Sequence, residues 1–129
     1  MTNSETLQRI LLVEDEEDIR AVAEVALETV GGFTLKACAG GREALDAITG
    51  FAPQLIILDV MMPGMDGPET LLAIRDIKGF AHTPVIFMTA KVQAEEIEDY
   101  LSQGAVDVIP KPFDPMTLSD QVRDVWEAT

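Results

Sequence analysis

The chain of 129 residues is 47% hydrophobic and 25% charged, a composition that predicts one globular domain of ordinary size. Its net charge of −14 argues against nucleic acid and anionic membrane surfaces as partners, since both attract clustered lysine and arginine. The single cysteine, Cys38, excludes an internal disulfide and fits a reducing compartment. Met1 to Gln8 does not resemble a signal peptide and no apolar run reaches membrane-spanning length, so we expect a cytoplasmic protein.

Alternating apolar and amphipathic segments predict five strand–helix units. The predicted strands are 9–13, 33–38, 55–59, 85–89 and 107–109. The predicted helices run from Glu16 to Val30, around Ala44 to Gly50, from Pro68 to Gly79, over 94–103, and from near Pro115 onward. This alternation is typical of an α/β protein whose parallel sheet is covered on both faces. We expect a single domain over 1–129, with its core over about 8–128 and no second domain attached.

Helical spacing also predicts which side chains point into the core. The inward positions are Ile19, Val22, Ala23, Ala26, Leu27 and Val30; Leu71, Leu72 and Ile74; Ile97, Tyr100 and Leu101; and Leu118, Val122, Val125 and Trp126. Pro110 cannot donate to a strand ladder, so the strand at 107–109 should lie at the edge of the sheet. The acidic outer face of helix 94–103 indicates a solvated face or, alternatively, contact with a basic partner.

Acidic residues follow directly from two apolar strands. Glu14 and Asp15 come after strand 9–13, and Asp59 ends the central strand. Because parallel strands leave a sheet at one edge, we expect these three carboxylates to converge. Crowded like charges are unfavourable unless a proton or a cation joins them, and oxygen ligands of this type suit Mg²⁺. Thr89 and Lys111 follow two further strands and would meet a phosphoryl group at the same edge.

Each of these residues also has an ordinary interpretation by itself. Acids at a helix start interact with its dipole, and we assign that role to Glu16, Glu17 and Asp18. Thr89 alone would be a strand-end cap, and Lys111 alone a solvated lysine. The occurrence of all five residues on one predicted edge favours the functional interpretation.

Four short motifs carry a family resemblance. They are Glu14-Asp15, the block Asp-Val-Met-Met-Pro-Gly-Met-Asp-Gly over 59–67, Thr89-Ala90, and Lys111-Pro112-Phe113 after Gly104-Ala105. The chain resembles the receiver domain of bacterial response regulators over nearly its whole length. That resemblance implies a flavodoxin-like, CheY-like fold, with a five-stranded parallel sheet in the order 2-1-3-4-5 and helices on both faces.

The resemblance implies that Asp59 is the phosphoacceptor. It would take the phosphoryl group from a phosphohistidine of a sensor histidine kinase or a histidine phosphotransfer protein. Mg²⁺ would be bound by Asp15, Asp59 and the backbone carbonyl of Met61, with Glu14 acting directly or through water.

Phosphoryl binding is implied for four further groups. Lys111 would pair with the phosphoryl oxygens, and Thr89 would turn to hydrogen-bond them. The backbone N–H groups of Met61 and Ala90 would also donate to the phosphoryl group. The Lys111–Pro112 peptide bond is expected to be cis.

The chain departs from the family pattern at three places. Glu14 stands where the family usually has Asp, an exchange that is common enough to leave metal binding intact. Val108 occupies the position of an aromatic switch partner of Thr89, so an aromatic rotamer switch is not implied. Met61 and Lys91 hold positions that tune phosphoryl lifetime in the family, and we predict altered hydrolysis.

The leading hypothesis is a phosphorylation switch that binds a downstream protein through residues 94–126 and is not a turnover enzyme. One alternative is a phosphorylation-independent scaffold of the same fold. Another is a Mg²⁺-dependent phosphatase, which is disfavoured because Met61 stands where those enzymes carry a second Asp. Nucleotide binding is disfavoured because no glycine-rich loop follows the first strand. His82, the only histidine, lies in a polar loop and is interpreted as structural.

Overall fold

A computed structural model describes residues 5–129 and contains the five expected strand–helix units. The strands are β1 (Arg9–Val13), β2 (Thr34–Cys38), β3 (Leu55–Asp59), β4 (Val85–Thr89) and β5 (Asp107–Pro110). The helices are α1 (Glu17–Glu24), continued by a π-helical segment (Val25–Val30), α2 (Gly41–Phe51), α3 (Gly67–Arg75), α4 (Ala94–Ser102) and α5 (Leu118–Ala128). Residues 1–4 lie outside the described residues. They are part of the segment from Met1 to Gln8, which we expect not to be a signal peptide.

The sheet is fully parallel, with the order β2-β1-β3-β4-β5, and this confirms the predicted fold class. β5 lies at the edge, as its proline predicts, although Pro110 itself is the last residue of the strand. The register pairs Asp59 with Met88 and Thr89 with Pro110. The carboxyl ends of the neighbouring strands β3, β4 and β5 therefore meet at one side of the molecule.

Two hydrophobic layers sandwich the sheet. One layer packs alternate strand residues, including Leu11 and Phe87, against α2, α3 and α4. The other packs the intervening residues, including Leu12 and Ile57, against α1 and α5. Every residue of β3 and β4 is buried, and each fully buried aliphatic side chain contributes roughly 1.5–3 kcal/mol through removal of apolar surface from water. The rigid sheet thus fixes the position of side chains at its edge.

Four side chains predicted to point inward lie at the surface instead. They are Val22, Val30, Leu72 and Leu101, with exposed fractions of 43%, 47%, 70% and 44%. Neighbouring residues on a helix point about 100° apart. Because Leu71 and Tyr100 face the sheet and are buried, the residues that follow them, Leu72 and Leu101, point towards solvent.

Two helix ends also differ from the prediction. α3 ends at Arg75 rather than Gly79. The N–H groups of Asp76, Ile77 and Phe80 donate to carbonyls three residues earlier, whereas an α-helix requires carbonyls four residues earlier. α5 begins at Leu118 rather than near Pro115, because the Asp114 carboxylate accepts the N–H of Met116 and its carbonyl accepts those of Thr117 and Leu118. Within the described residues, no helix has the length and apolar character to cross a bilayer.

Candidate functional site

The carboxyl edge of the sheet brings the three predicted acids together. Glu14 and Asp15 lie just beyond β1, and Asp59 ends β3. Carboxylate oxygens of these three residues lie within 4.8 Å of one another. Glu14 is 0% exposed and Asp59 is 1% exposed, so two of the three negative charges are removed from bulk water.

Lys111 joins this acidic cluster from the end of β5. Its Nζ donates to Glu14 Oε1 at 3.0 Å and to Asp59 Oδ1 at 3.1 Å. The backbone N–H of Lys111 donates to the carbonyl of Thr89 at 2.9 Å, which fixes the start of the following loop against β4. The Lys111–Pro112 peptide bond is cis, as the resemblance implies. One cation that is 14% exposed therefore faces two buried carboxylates.

The electrostatics of the cluster favour an additional positive charge. Burial raises the pKa of the Asp59 carboxyl from 3.8 to about 7, the Lys111 hydrogen bond lowers it, and the neighbouring charge of Glu14 raises it. Burial acts to lower the pKa of the Lys111 ammonium, but its hydrogen bonds to Glu14 and Asp59 outweigh that effect and raise it. Lys111 is thus held in its charged form, whereas burial disfavours the ionised form of the Asp59 carboxyl.

The residues of the cluster fit a hard divalent cation. Asp15 Oδ1 is buried and has no hydrogen-bond partner, which leaves one carboxylate oxygen free for a ligand. Both oxygens of Glu14 are already engaged, because Oε1 accepts from Lys111 and Oε2 accepts the N–H of Glu16 at 3.1 Å. Mg²⁺ is bound through one or two carboxylates together with waters, so Asp15 and Asp59 are the suited pair.

A cavity of about 660 Å³ opens beside Asp59. Thr89, Ala90, Met61 and Lys111 line it, which brings every predicted phosphoryl-binding residue to the same space. Thr89 is 1% exposed, and its Oγ1 accepts the backbone N–H of Lys91 at 3.1 Å. The cavity is large enough to admit a phosphoryl group and part of the molecule that carries it.

Val108, the predicted switch position, lies elsewhere. It is half-buried on β5, pairs with Phe87 in the sheet and packs against the layer formed by α2, α3 and α4. His82 is exposed in the loop before β4, outside the lining of the cavity.

Two features of the site were not predicted from the sequence. Ile19, Val22, Pro112 and Phe113 line the apolar side of the cavity, which explains why Val22 is not in the core. Gly67 is packed so closely that a Cβ there would lie 2.6 Å from the carbonyl oxygen of Asp59. The glycine that ends the 59–67 motif was the available signal for this contact, since a close backbone approach requires glycine.

Fold and site together define a class: α/β proteins with a doubly covered parallel sheet, which hold an acidic, lysine-containing pocket at the carboxyl edge. The sequence model of a protein family, the response regulator receiver domain, matches residues 10–123 of this chain. The chain belongs to this family and is a receiver domain of the kind found in response regulators of two-component systems. Receiver domains of this family are phosphoacceptors in signalling and bind Mg²⁺ at an acidic pocket.

Individual relatives agree with this assignment. The response regulator Rre1 of Synechocystis is 36% identical over 117 residues, which are 90% of this chain and 50% of that protein. The DNA-binding response regulator MtrA of Mycobacterium tuberculosis is 34% identical over 116 residues, which are 90% of this chain and 49% of that protein. The chain spans about half the length of these curated relatives. The solved structure of the chemotaxis response regulator CheY4 of Vibrio cholerae is 32% identical, with a TM-score of 0.85 over 93% of this chain and 99% of that one.

Proposed function

We propose that Asp59 accepts a phosphoryl group from a phosphohistidine and that this modification switches a partner-binding surface over residues 94–126. The observation that carries the proposal is the buried ion pair between Lys111 Nζ and Asp59 Oδ1 at 3.1 Å, next to a cavity of about 660 Å³. A carboxylate that faces both a fixed cation and open space is suited to nucleophilic attack on phosphorus.

In the proposed reaction, a carboxylate oxygen of Asp59 forms a bond to phosphorus while the bond between phosphorus and the imidazole nitrogen breaks. The electron pair of that bond stays with the imidazole, and the product is an acyl phosphate. Lys111 lies at hydrogen-bond distance from the nucleophile and neutralises charge on the transferred group. The backbone N–H groups of Met61 and Ala90 and the hydroxyl of Thr89 donate to the phosphoryl oxygens.

Asp15, Asp59 and the carbonyl of Met61 are the proposed ligands of Mg²⁺. When bound, the ion supplies positive charge that offsets the accumulation of negative charge on the phosphoryl oxygens. Glu14 holds Lys111 in place, since its two oxygens are engaged within the protein.

The phosphodonor docks on the apolar side of the cavity in this proposal. Val22 and Met61 are 43% and 61% exposed, and Phe113 completes the apolar lining next to Asp59. A helix of a sensor histidine kinase or histidine phosphotransfer protein that carries the phosphohistidine could lay its apolar face there.

The wider assignment follows from composition and sequence. We propose that residues 8–128 act as one receiver unit in the cytoplasm. Some relatives are named as DNA-binding regulators, but the charge of −14 does not support nucleic acid binding by this chain. Met61 cannot serve as a general acid, so the acyl phosphate is a signalling state rather than an intermediate of a turnover enzyme, and its hydrolysis rate is expected to be altered.

The test is phosphorylation with Mg²⁺ and acetyl phosphate, followed by intact-mass measurement. We expect one labile phosphoryl group, which disappears in Asp59→Asn and when EDTA removes the metal. Asp66→Asn is the matched control, because Asp66 lies in the same loop but caps α3, a role that asparagine preserves. Turnover of many equivalents would indicate a phosphatase, and no phosphorylation of any variant would indicate a scaffold.

A further inference from the structure

The chain carries a strong charge asymmetry that its phosphoryl chemistry does not require. Residues 94–129 contain nine Asp or Glu and two Lys or Arg, whereas residues 5–93 contain fourteen and seven. Seven of the nine are exposed acids that form no ion pair within the described part of the chain. Six of these seven lie on α4, at the start of β5 or on α5, and we call them the acidic face: Glu95, Glu98, Asp99, Asp107, Asp124 and Glu127.

Both cations of this region interact with groups outside the acidic face. Lys111 is held in the phosphorylation site by Glu14 and Asp59. Arg123 donates to the carbonyl of Gly31 and stacks on the ring of Phe33, with its guanidinium carbon 4.6 Å from the ring centroid. No cation of residues 94–129 is therefore free to neutralise the acidic face.

An apolar groove lies beside three acids of this face, Asp107, Asp124 and Glu127. It occupies about 360 Å³ between the start of β5 and the end of α5, and its lining consists of Val106, Val125 and Ala128 together with the polar residues Asp107 and Thr129. Val106 is 42% exposed, and the acids Asp124 and Glu127 are sequence neighbours of the two α5 residues that line the groove. A groove of this volume accommodates one or two apolar side chains.

Charge complementarity selects among the occupants of such a groove. A second copy of the chain would bring two acidic faces together, and nucleic acid or anionic lipid would be repelled. A peptide segment with basic residues around an apolar side chain satisfies both the acids and the groove.

We propose that the acidic face binds a basic, amphipathic segment of a downstream protein, which places an apolar side chain in the groove between β5 and α5. This inference rests on the proposed function, because it assigns a partner chemistry to the surface that phosphorylation is proposed to switch.

The probe is a synthetic amphipathic helix built from lysine and leucine, and its counterpart built from glutamate and leucine is the control. Titration into ¹⁵N-labelled protein, with and without Mg²⁺ and acetyl phosphate, locates binding by chemical-shift changes. We expect the lysine peptide to shift signals of residues 94–129, with affinity that falls as salt rises, and the glutamate peptide to leave the spectrum unchanged.

Two matched triple variants separate this site from general attraction to an acidic protein. Asp107→Asn with Asp124→Asn and Glu127→Gln should weaken binding about tenfold, as three lost charge pairs predict. Glu17→Gln with Glu24→Gln and Glu28→Gln removes equal charge from α1 and its π-helical extension and should change affinity less than about twofold. Val106→Ser tests the groove and should also weaken binding. Circular dichroism checks that each variant folds.

Equal weakening by both triple variants, or shifts centred on α1, would overturn the inference. Phosphorylation of Asp59 is measured separately by intact mass in the same samples. A phosphorylated protein that does not bind the lysine peptide at the acidic face would overturn this inference and leave the proposed function standing. Binding at the acidic face by a protein that does not accept a phosphoryl group would overturn the proposed function alone.

Discussion

Asp59 is a residue whose surroundings disfavour its own ionised form. Burial raises the pKa of its carboxyl to about 7, whereas its ordinary value is 3.8. Because the folded-state pKa lies above the unfolded-state value, Asp59 contributes stability that is present below about pH 4 and is lost as pH rises through about 7. The metal-free protein therefore carries a destabilising charge at neutral pH at the position where we propose phosphorylation.

Asp59→Asn should relieve this cost. In metal-free buffer near pH 8 we expect the variant to be more stable by roughly 2–4 kcal/mol, since one pKa unit corresponds to about 1.4 kcal/mol. Asparagine retains the shape and can still accept a hydrogen bond from Lys111. Urea unfolding at several pH values measures the effect, and the gain should shrink towards zero near pH 4. The exposed Glu98→Gln is the control, and a gain that is independent of pH would contradict the explanation.

The convergence of the acids could be predicted from the sequence, because parallel strands end on one edge whatever their side chains are. The contact of Lys111 with Glu14 could not be predicted, because it depends on the reach of two long side chains across β1, β3, β4 and β5. The lack of a hydrogen-bond partner at Asp15 Oδ1 could not be predicted either, because it depends on which groups the neighbouring residues bind.

At the scale of elements, the loop from β4 to α4 is the natural route of the signal in a chain without the aromatic switch residue. Thr89 Oγ1 accepts the N–H of Lys91, so a threonine that turns towards a phosphoryl group must release that N–H. The released loop leads directly into α4, whose capping box pairs Gln93 with Glu96.

We predict that Thr89→Val uncouples phosphorylation from this loop while Thr89→Ser preserves the coupling. Valine keeps the branched shape but has no oxygen, whereas serine keeps the hydroxyl. The measurement is the phosphorylation-induced change in amide hydrogen exchange over residues 90–96. Acetyl phosphate should still modify both variants, and equal loop responses in valine and serine variants would exclude this route.

A hydrogen bond and a close packing contact join the π-helical continuation of α1 to α5. The Ser119 hydroxyl donates to the carbonyl of Ala26 at 2.7 Å, within the π-helical segment, and Gly31 packs directly against Ser119. A Cβ on Gly31 would lie 2.1 Å from Ser119 Oγ and 2.8 Å from the carbonyl oxygen of Leu27. The position therefore tolerates no side chain unless α5 moves.

Gly31→Ala should destabilise the protein by about 1–3 kcal/mol, the range for overpacking of a well-packed site. Gly50→Ala is the matched control, because a Cβ there meets nothing within 4 Å and α2 should gain about 0.5–1 kcal/mol from the exchange. Thermal unfolding of the three proteins measures both effects. A stable Gly31→Ala protein would mean that α5 is not fixed at this junction.

The elements themselves were predictable, because buried parallel strands are short apolar runs and glycine or proline marks their ends. The wrong predictions of buried side chains came from helical periodicity. Helical periodicity marks an apolar stripe, but it does not say how wide a stripe the sheet covers, so Leu72 and Leu101 were placed inside. The π-helical segment changes the phase within one helix, and nothing in the periodicity of Ile19 to Val30 indicates it.

On the scale of the whole molecule, the charge of −14 makes folding sensitive to cations in two separable ways. Screening by any salt reduces the repulsion among exposed acids, whereas a bound ion stabilises only the folded state that holds its site. We predict that NaCl raises the unfolding midpoint gradually and that Mg²⁺ at equal ionic strength raises it further. At one hundred times its Kd, bound Mg²⁺ should add about 2.7 kcal/mol to the free energy of unfolding. Asp15→Asn should lose the second increment and keep the first, because Asp15 Oδ1 is the one buried side-chain oxygen without a hydrogen-bond partner within residues 5–129. Thermal melts in NaCl and MgCl₂ at matched ionic strength measure both effects. An equal response of the parent protein to the two salts would show that Mg²⁺ does not bind specifically, and a Mg²⁺ increment that Asp15→Asn retains would place the metal outside this pocket.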